Sequence, residues 1–167
     1  IVASWEIGKP NISDVVATLR DDGCLTFSGT GDTQSYMYGS PPWYDYRSAI
    51  VAVQFEDEVE PICLARYFFE CHNLKSVNQI PLTVESLWGA FHGCSSLKSV
   101  PELPEVARSL SYAFYHCESL SEVPIIPEGV LVLDNAFYGC KAIQEAPVIP
   151  SNVTSLFNTF GKCSSLV

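Results

Sequence analysis

The side chains best suited to chemistry in this 167-residue chain are its seven cysteines and three histidines. Such groups ligate zinc, pair as nucleophile and base, or cross-link, and each use demands its own spacing. No Cys-x-x-Cys occurs, and no Cys/His pair has the spacing of zinc ligands. What the cysteines do have is a period: Cys71, Cys94, Cys117, Cys140 and Cys163 recur every 23 residues. Equivalent side chains one coil apart point the same way instead of toward each other, so these five read as reduced core residues and not as disulfides. Cys24 and Cys63 lie off the period, and their pairing is left open. His72, His92 and His116 fall at different offsets from the periodic cysteines, which predicts scattered surface residues that form neither a ligand set nor an acid–base pair.

Other reactive patterns are also missing. No serine stands in a Gly-x-Ser-x-Gly elbow, and no glycine-rich phosphate loop occurs, which argues against hydrolase and nucleotide-binding readings. Glu56, Asp57, Glu58 and Glu60 form the densest acidic run, but without the Asp-x-Asp-x-Asp-Gly of a calcium loop they read as a solvated edge. The formal net charge of −10 disfavours nucleic acid and anionic membrane as partners. No run of apolar residues is long enough to form a membrane span. The sequence therefore predicts no catalytic residue, no cofactor and no metal. It begins at Ile1 without a signal-like segment, as a trimmed mature chain would.

The elements that position these residues follow from the period. Counting from each cysteine, apolar residues recur three on (Leu74, Leu97, Leu120, Ile143), six on (Val77, Val100, Val123, Ala146) and sixteen on (Leu87, Leu110, Leu133, Leu156). Ala90, Ala113, Ala136 and Thr159 precede Phe91, Phe114, Phe137 and Phe160. Recurrence near three fits neither one helix nor one long strand; it fits a coil that turns corners. About six apolar side chains cannot offset the ordering of 23 residues, so the units must stack. The predicted fold is a leucine-rich-repeat-like solenoid of 23-residue repeats, each with a short parallel strand and a short helical or 3-10 corner. The degenerate first repeat covers 48–70, full repeats start at Cys71, Cys94, Cys117 and Cys140, and a partial one starts at Cys163.

Residues 1–47 read as an N-terminal β cap. Val15 to Leu19 and Cys24 to Ser28 are β-prone runs joined by Arg20-Asp21-Asp22-Gly23, a turn sequence. Tyr36 to Tyr46 reads as an aromatic loop over the first coil, with Pro41 and Pro42 opposing a regular element. The stretches SWEIG, DVVATLRDDGCLTFSGTG and PPWYDYRSAIVAV, followed by units of the form AFHGCSSLKSVPELP, resemble the BspA-like leucine-rich-repeat proteins. That resemblance spans essentially the whole chain. It implies a solenoid exported to the bacterial cell surface, adhesive in some members, and not an enzyme. Proline at both the seventh and tenth positions, as in Pro101 and Pro104, departs from the pattern and should shorten the strand.

What can vary is the outward-facing set. His92, Tyr115 and Tyr138 share one position and should form an aromatic stripe; Trp88 and Phe157 share another, with Tyr112 beside it. Aromatic rings are favoured in recognition. These six are the candidate partner-binding residues, for a protein or a glycan; a spacer that presents other domains is the alternative. Ile125, Val148, Leu131 and Val132 suggest a modest apolar patch on the third and fourth turns.

Overall fold

A computed structural model describes residues 1–167. Strand β1 is Ala3–Glu6, β2 Gly8–Lys9, β3 Val15–Leu19, β4 Cys24–Gly29, β5 Asp32–Thr33, β6 Ala52–Phe55 and β7 Ser76–Val77. β3 and β4 pair antiparallel, with Leu19 opposite Leu25. Gly23, at φ 81°, closes their turn, and Asp22 Oδ1 accepts the Cys24 N–H at 2.9 Å. β1 flanks β3, while β6 joins β4 in parallel and β7 joins β6, giving the order β1-β3-β4-β6-β7. The sheet thus crosses residue 48 without a break. β2 and β5 form a separate two-stranded ribbon.

The aromatic loop does carry a regular element, contrary to the sequence expectation: Tyr44–Ala49 is a 3-10 helix. Proline opposes a helix interior, but Pro41 and Pro42 stand ahead of it, where no N–H is needed. The Pro41 carbonyl instead accepts the Tyr44 N–H at 2.9 Å. Trp43 is fully buried and donates its Nε1–H to the Tyr67 carbonyl at 2.7 Å, clamping this loop to the first coil. The Tyr67 hydroxyl in turn reaches the Gln34 carbonyl at 2.6 Å.

Further along, parallel bridges join Cys63, Ser86, Ser109, Val132 and Ser155 in succession, one per coil. A β7-like strand is absent from the later coils, where Pro101, Pro124 and Pro147 stand in place of Asn78. The reason is visible at Asn78, whose N–H donates to Val53 and whose side chain both donates to and accepts from the Phe55 backbone. Proline can do none of this.

No corner of the repeats is helical, which corrects the expected helical or 3-10 turn. Two positions per coil take positive φ: Arg66, Gly89, Tyr112, Asn135 and Asn158 five before each cysteine, and Glu70, Gly93, His116, Gly139 and Lys162 one before. That conformation interrupts a right-handed helix. Alternate N–H groups then leave the coil. Leu64, Arg66, Phe68 and Glu70 donate to the next coil at Ser86, Trp88, Ala90 and His92, while Tyr67, Phe69 and Cys71 donate three residues back within their own. The corner is therefore both a turn and an inter-coil ladder, and its backbone is satisfied without a helix.

Inside this ladder the phenylalanines form a column. Successive ring centroids of Phe68, Phe91, Phe114, Phe137 and Phe160 lie 5.2, 5.6, 5.3 and 5.6 Å apart, with rings within 25° of parallel. The periodic cysteines are free thiols that serve this column. Cys94, Cys117, Cys140 and Cys163 each donate S–H at 3.1 Å to the carbonyl of the phenylalanine one coil back, Phe68, Phe91, Phe114 and Phe137. Cysteine is thus small enough for the corner and still satisfies a buried acceptor. Burial pushes the Cys71 thiol up to about 12, and raises Cys94 and Cys117 well above the ordinary range. Cys24 and Cys63 do not pair: the first lies against Thr26, the second against Ser35. One apolar ladder is weaker than expected, since Val100 and Val123 are half-buried and Ala146 is exposed.

Candidate functional site

A second column of rings runs outside the phenylalanine column, one residue later in each coil. Phe69 and His92 lie 4.5 Å apart, His92 and Tyr115 4.7 Å, Tyr115 and Tyr138 4.8 Å. All four are half-buried. The spacing is that of the coils, because each ring hangs from a backbone position held by the inter-coil ladder. Arg66 caps one end, 4.4 Å from the Phe69 centroid, and Lys162 the other, 5.5 Å from Tyr138. Tyr115 and Tyr138 are within 8° of parallel, so they turn faces to each other and edges outward.

Of the six sequence candidates, His92, Tyr115 and Tyr138 lie in this column. Tyr112 joins it at 5.6 Å from Tyr115, and Trp88 joins through Tyr112 at 5.9 Å. Phe157 does not join; it stands 70% exposed on the last coil. Phe69 belongs to the column and was missed, because its coil was read as degenerate and its offset was not followed back. Ile125 and Val148 share one register position and are 86% and 89% exposed, while Leu131 and Val132 fall at two others, exposed and half-buried in turn.

The histidines correct the sequence reading most clearly. They do not scatter; all three line one recess of about 400 Å³. The periodic cysteine points inward, so the residues on either side of it point out on the same corner, whichever side they come from. Coil by coil, Glu70 and His72 form one lip, His116 and Glu118 the other. At the positions equivalent to the two lips the middle coil carries Gly93 and Ser95, and their small size leaves the notch. His92 connects the notch to the ring column. Burial lowers its pKa, partly opposed by Glu70.

Each carboxylate in the notch is half engaged. Glu70 Oε2 accepts the Tyr44 hydroxyl at 3.0 Å and lies 3.7 Å from Arg47 Nε. Glu118 Oε1 takes Lys141 Nζ at 2.8 Å and lies 3.6 Å from His116 Nδ1. The Lys141 hydrogen bond holds the Glu118 carboxyl below its usual range. His72 Nδ1–H donates to the Gly93 carbonyl at 2.7 Å, which leaves Nε2 as an acceptor. No three ligating side chains converge as a metal centre would require. The acidic run Glu56, Asp57, Glu58 and Glu60 is exposed, with Glu58 accepting Thr30 Oγ1 at 3.0 Å. No helix is long and apolar enough to cross a membrane.

Comparison with known proteins agrees with this geometry. Residues 44–167 match the BspA-type leucine-rich-repeat region in six copies. No curated protein resembles the chain significantly. Among solved structures, a leucine-rich-repeat protein of T. pallidum is 22% identical with a TM-score of 0.58, over 90% of this chain and 65% of that one. One from Bacteroides ovatus is 18% identical with a TM-score of 0.61, over 95% of this chain and 40% of its own. A leucine-rich cell-surface protein of Faecalibacterium prausnitzii is 24% identical with a TM-score of 0.55, over 92% and 52%. The chain spans about two thirds or less of each, and these likenesses concern the fold alone.

Proposed function

This chain belongs to the family of proteins with BspA-type leucine-rich repeats, and we propose that it is a non-catalytic module of the bacterial cell surface that engages a protein through its outer ring column. The family is generally non-catalytic and typically binds proteins. The surface location rests on the likeness to the F. prausnitzii cell-surface protein. Within the module, residues 48–167 are the stack and residues 1–47 its lid.

The observation that carries this reading is the continuous column Phe69–His92–Tyr115–Tyr138, one half-buried ring per coil. An inner phenylalanine column already supplies the packing, so the outer rings are not needed to fill the core. They also discriminate between partner classes. A glycan uses aromatic residues as flat platforms, whereas Tyr115 and Tyr138 spend their facing surfaces on each other and offer edges and hydroxyls. Edges with polar tips suit the mixed surface of a protein.

The test is a panel of purified extracellular-matrix proteins and glycans, probed with the native protein and with a Tyr115→Ser/Tyr138→Ser variant. Two interface tyrosines at more than about 1 kcal/mol each predict at least a tenfold loss of affinity for the protein ligand, with folding retained. Unchanged affinity removes the column from the account. A spacer role is the second reading, favoured by the solved relatives extending well beyond the matched region. It predicts no ligand on the panel.

A further inference from the structure

The notch between Glu70 and Glu118 has a chemistry distinct from the rings beside it. Its lining contains no apolar residue and no lysine or arginine. It offers acceptors: the Glu70 and Glu118 oxygens that make no protein contact, and the Nε2 of the His72 tautomer whose Nδ1–H meets the Gly93 carbonyl. Its volume of about 400 Å³ exceeds that of a side chain. The chain's net charge of −10 adds long-range attraction for a basic surface. Cations already sit on the same face, with Arg66 over Phe69 and Arg47 over Tyr44.

We propose that the notch seats an arginine or lysine side chain of the protein partner, and releases it when His92 gains a proton. This rests on the reading of the ring column as a protein-binding face. Arginine suits the notch because its planar guanidinium carries five N–H donors, enough to reach a free carboxylate oxygen of one lip and a further acceptor at once. Imidazole is the side chain that changes charge between about pH 8 and pH 5, and each proton gained turns an acceptor into a competing cation. The charged and titratable groups facing His92 are Glu70, His72 and His116 in the notch and Arg66 at the column's end, with Tyr115 against its ring. Those facing the two lips are Tyr44, Arg47 and Lys141. Arg66, Arg47 and Lys141 are already cations, so a proton gained at His92 leaves a guest cation less well held as pH falls.

The probe is N-acetyl-arginine amide, followed by its effect on the imidazole NMR signals of the intact protein, with N-acetyl-citrulline amide as the neutral isostere. At about pH 7.5 the arginine compound should move the His92 and His116 signals saturably, and citrulline should not. At about pH 5 the affinity should fall at least tenfold. Glu118→Gln should weaken binding several-fold at the higher pH while the unfolding midpoint stays put. Equal response to citrulline, or an arginine affinity independent of pH, overturns the proposal. So does zinc chloride moving all three imidazoles while arginine moves none. Failure of the ring column is read separately: unchanged binding of the macromolecule by the Tyr115→Ser/Tyr138→Ser variant removes the column, whereas the arginine titration reports on the notch alone.

Discussion

Phe114 and Tyr115 are sequence neighbours with opposite assignments, so truncating each in turn tests the register residue by residue. Phe114 is fully buried, with Phe91 at 5.6 Å on one face and Phe137 at 5.3 Å on the other. Removing a core phenylalanine costs about 3 to 5 kcal/mol, depending on how far the site can collapse. Collapse is restricted here. The coils above and below are held apart by the inter-coil ladder, including Phe91 N–H to Ala113 at 2.8 Å and Phe114 N–H to Ala136 at 2.9 Å. Phe114→Ala should therefore fall in the upper half of that range. Tyr115 is half-buried and stacks on Tyr138, so Tyr115→Ser should cost under about 2 kcal/mol from lost stacking and partial burial. Urea titration provides the assay, read by far-ultraviolet circular dichroism and by tryptophan fluorescence. Trp5 and Trp43 report the N-terminal block and Trp88 the coils, so coincident transitions license a single free energy. A loss below about 1.5 kcal/mol for Phe114→Ala, or equal losses for the two variants, would refute the inner-and-outer assignment.

Two further outcomes follow from the same geometry. Thiol titration should find all seven cysteines free in denaturant without reductant, while in the native protein at about pH 8 Cys71, Cys94, Cys117 and Cys140 stay unreactive. Fewer than five thiols in total, or rapid native modification of those four, would contradict the buried S–H donors. His92 predicts a pH effect on stability. Its folded pKa lies below the unfolded value because burial disfavours the cation, so the unfolded chain takes up the proton first and stability falls as pH drops from about 6.5 through the folded value. Replacing His92 by Tyr, the residue at that position in the next two coils, should flatten the difference between pH 7 and pH 5; an unchanged slope would refute the assignment.

The inner ladder was legible because burial imposes the same residue type on every coil, as at Leu87, Leu110 and Leu133, and repetition at 23 residues exposed it. The strand-shortening role of the prolines was legible for a related reason: a missing N–H acts locally. The corner was not. Apolar spacing reports which side chains point inward but not the sign of φ, and the left-handed position five before each cysteine is filled by Arg66, Gly89, Tyr112, Asn135 and Asn158, only some of which favour that conformation. The notch was missed because differing offsets were read as separation. Its residues flank an inward-pointing cysteine on both sides, and its space comes from what Gly93 and Ser95 lack, which becomes visible only when three coils are superposed.

The most direct test of the outer column as the docking face is site-specific photo-crosslinking. A benzophenone amino acid replaces Tyr115 in one version of the protein and the exposed Ile125 in another, each mixed with the protein ligand that the panel identifies. A docking face at the outer column gives a covalent adduct from position 115 and none from position 125. An adduct from position 125 alone would contradict it.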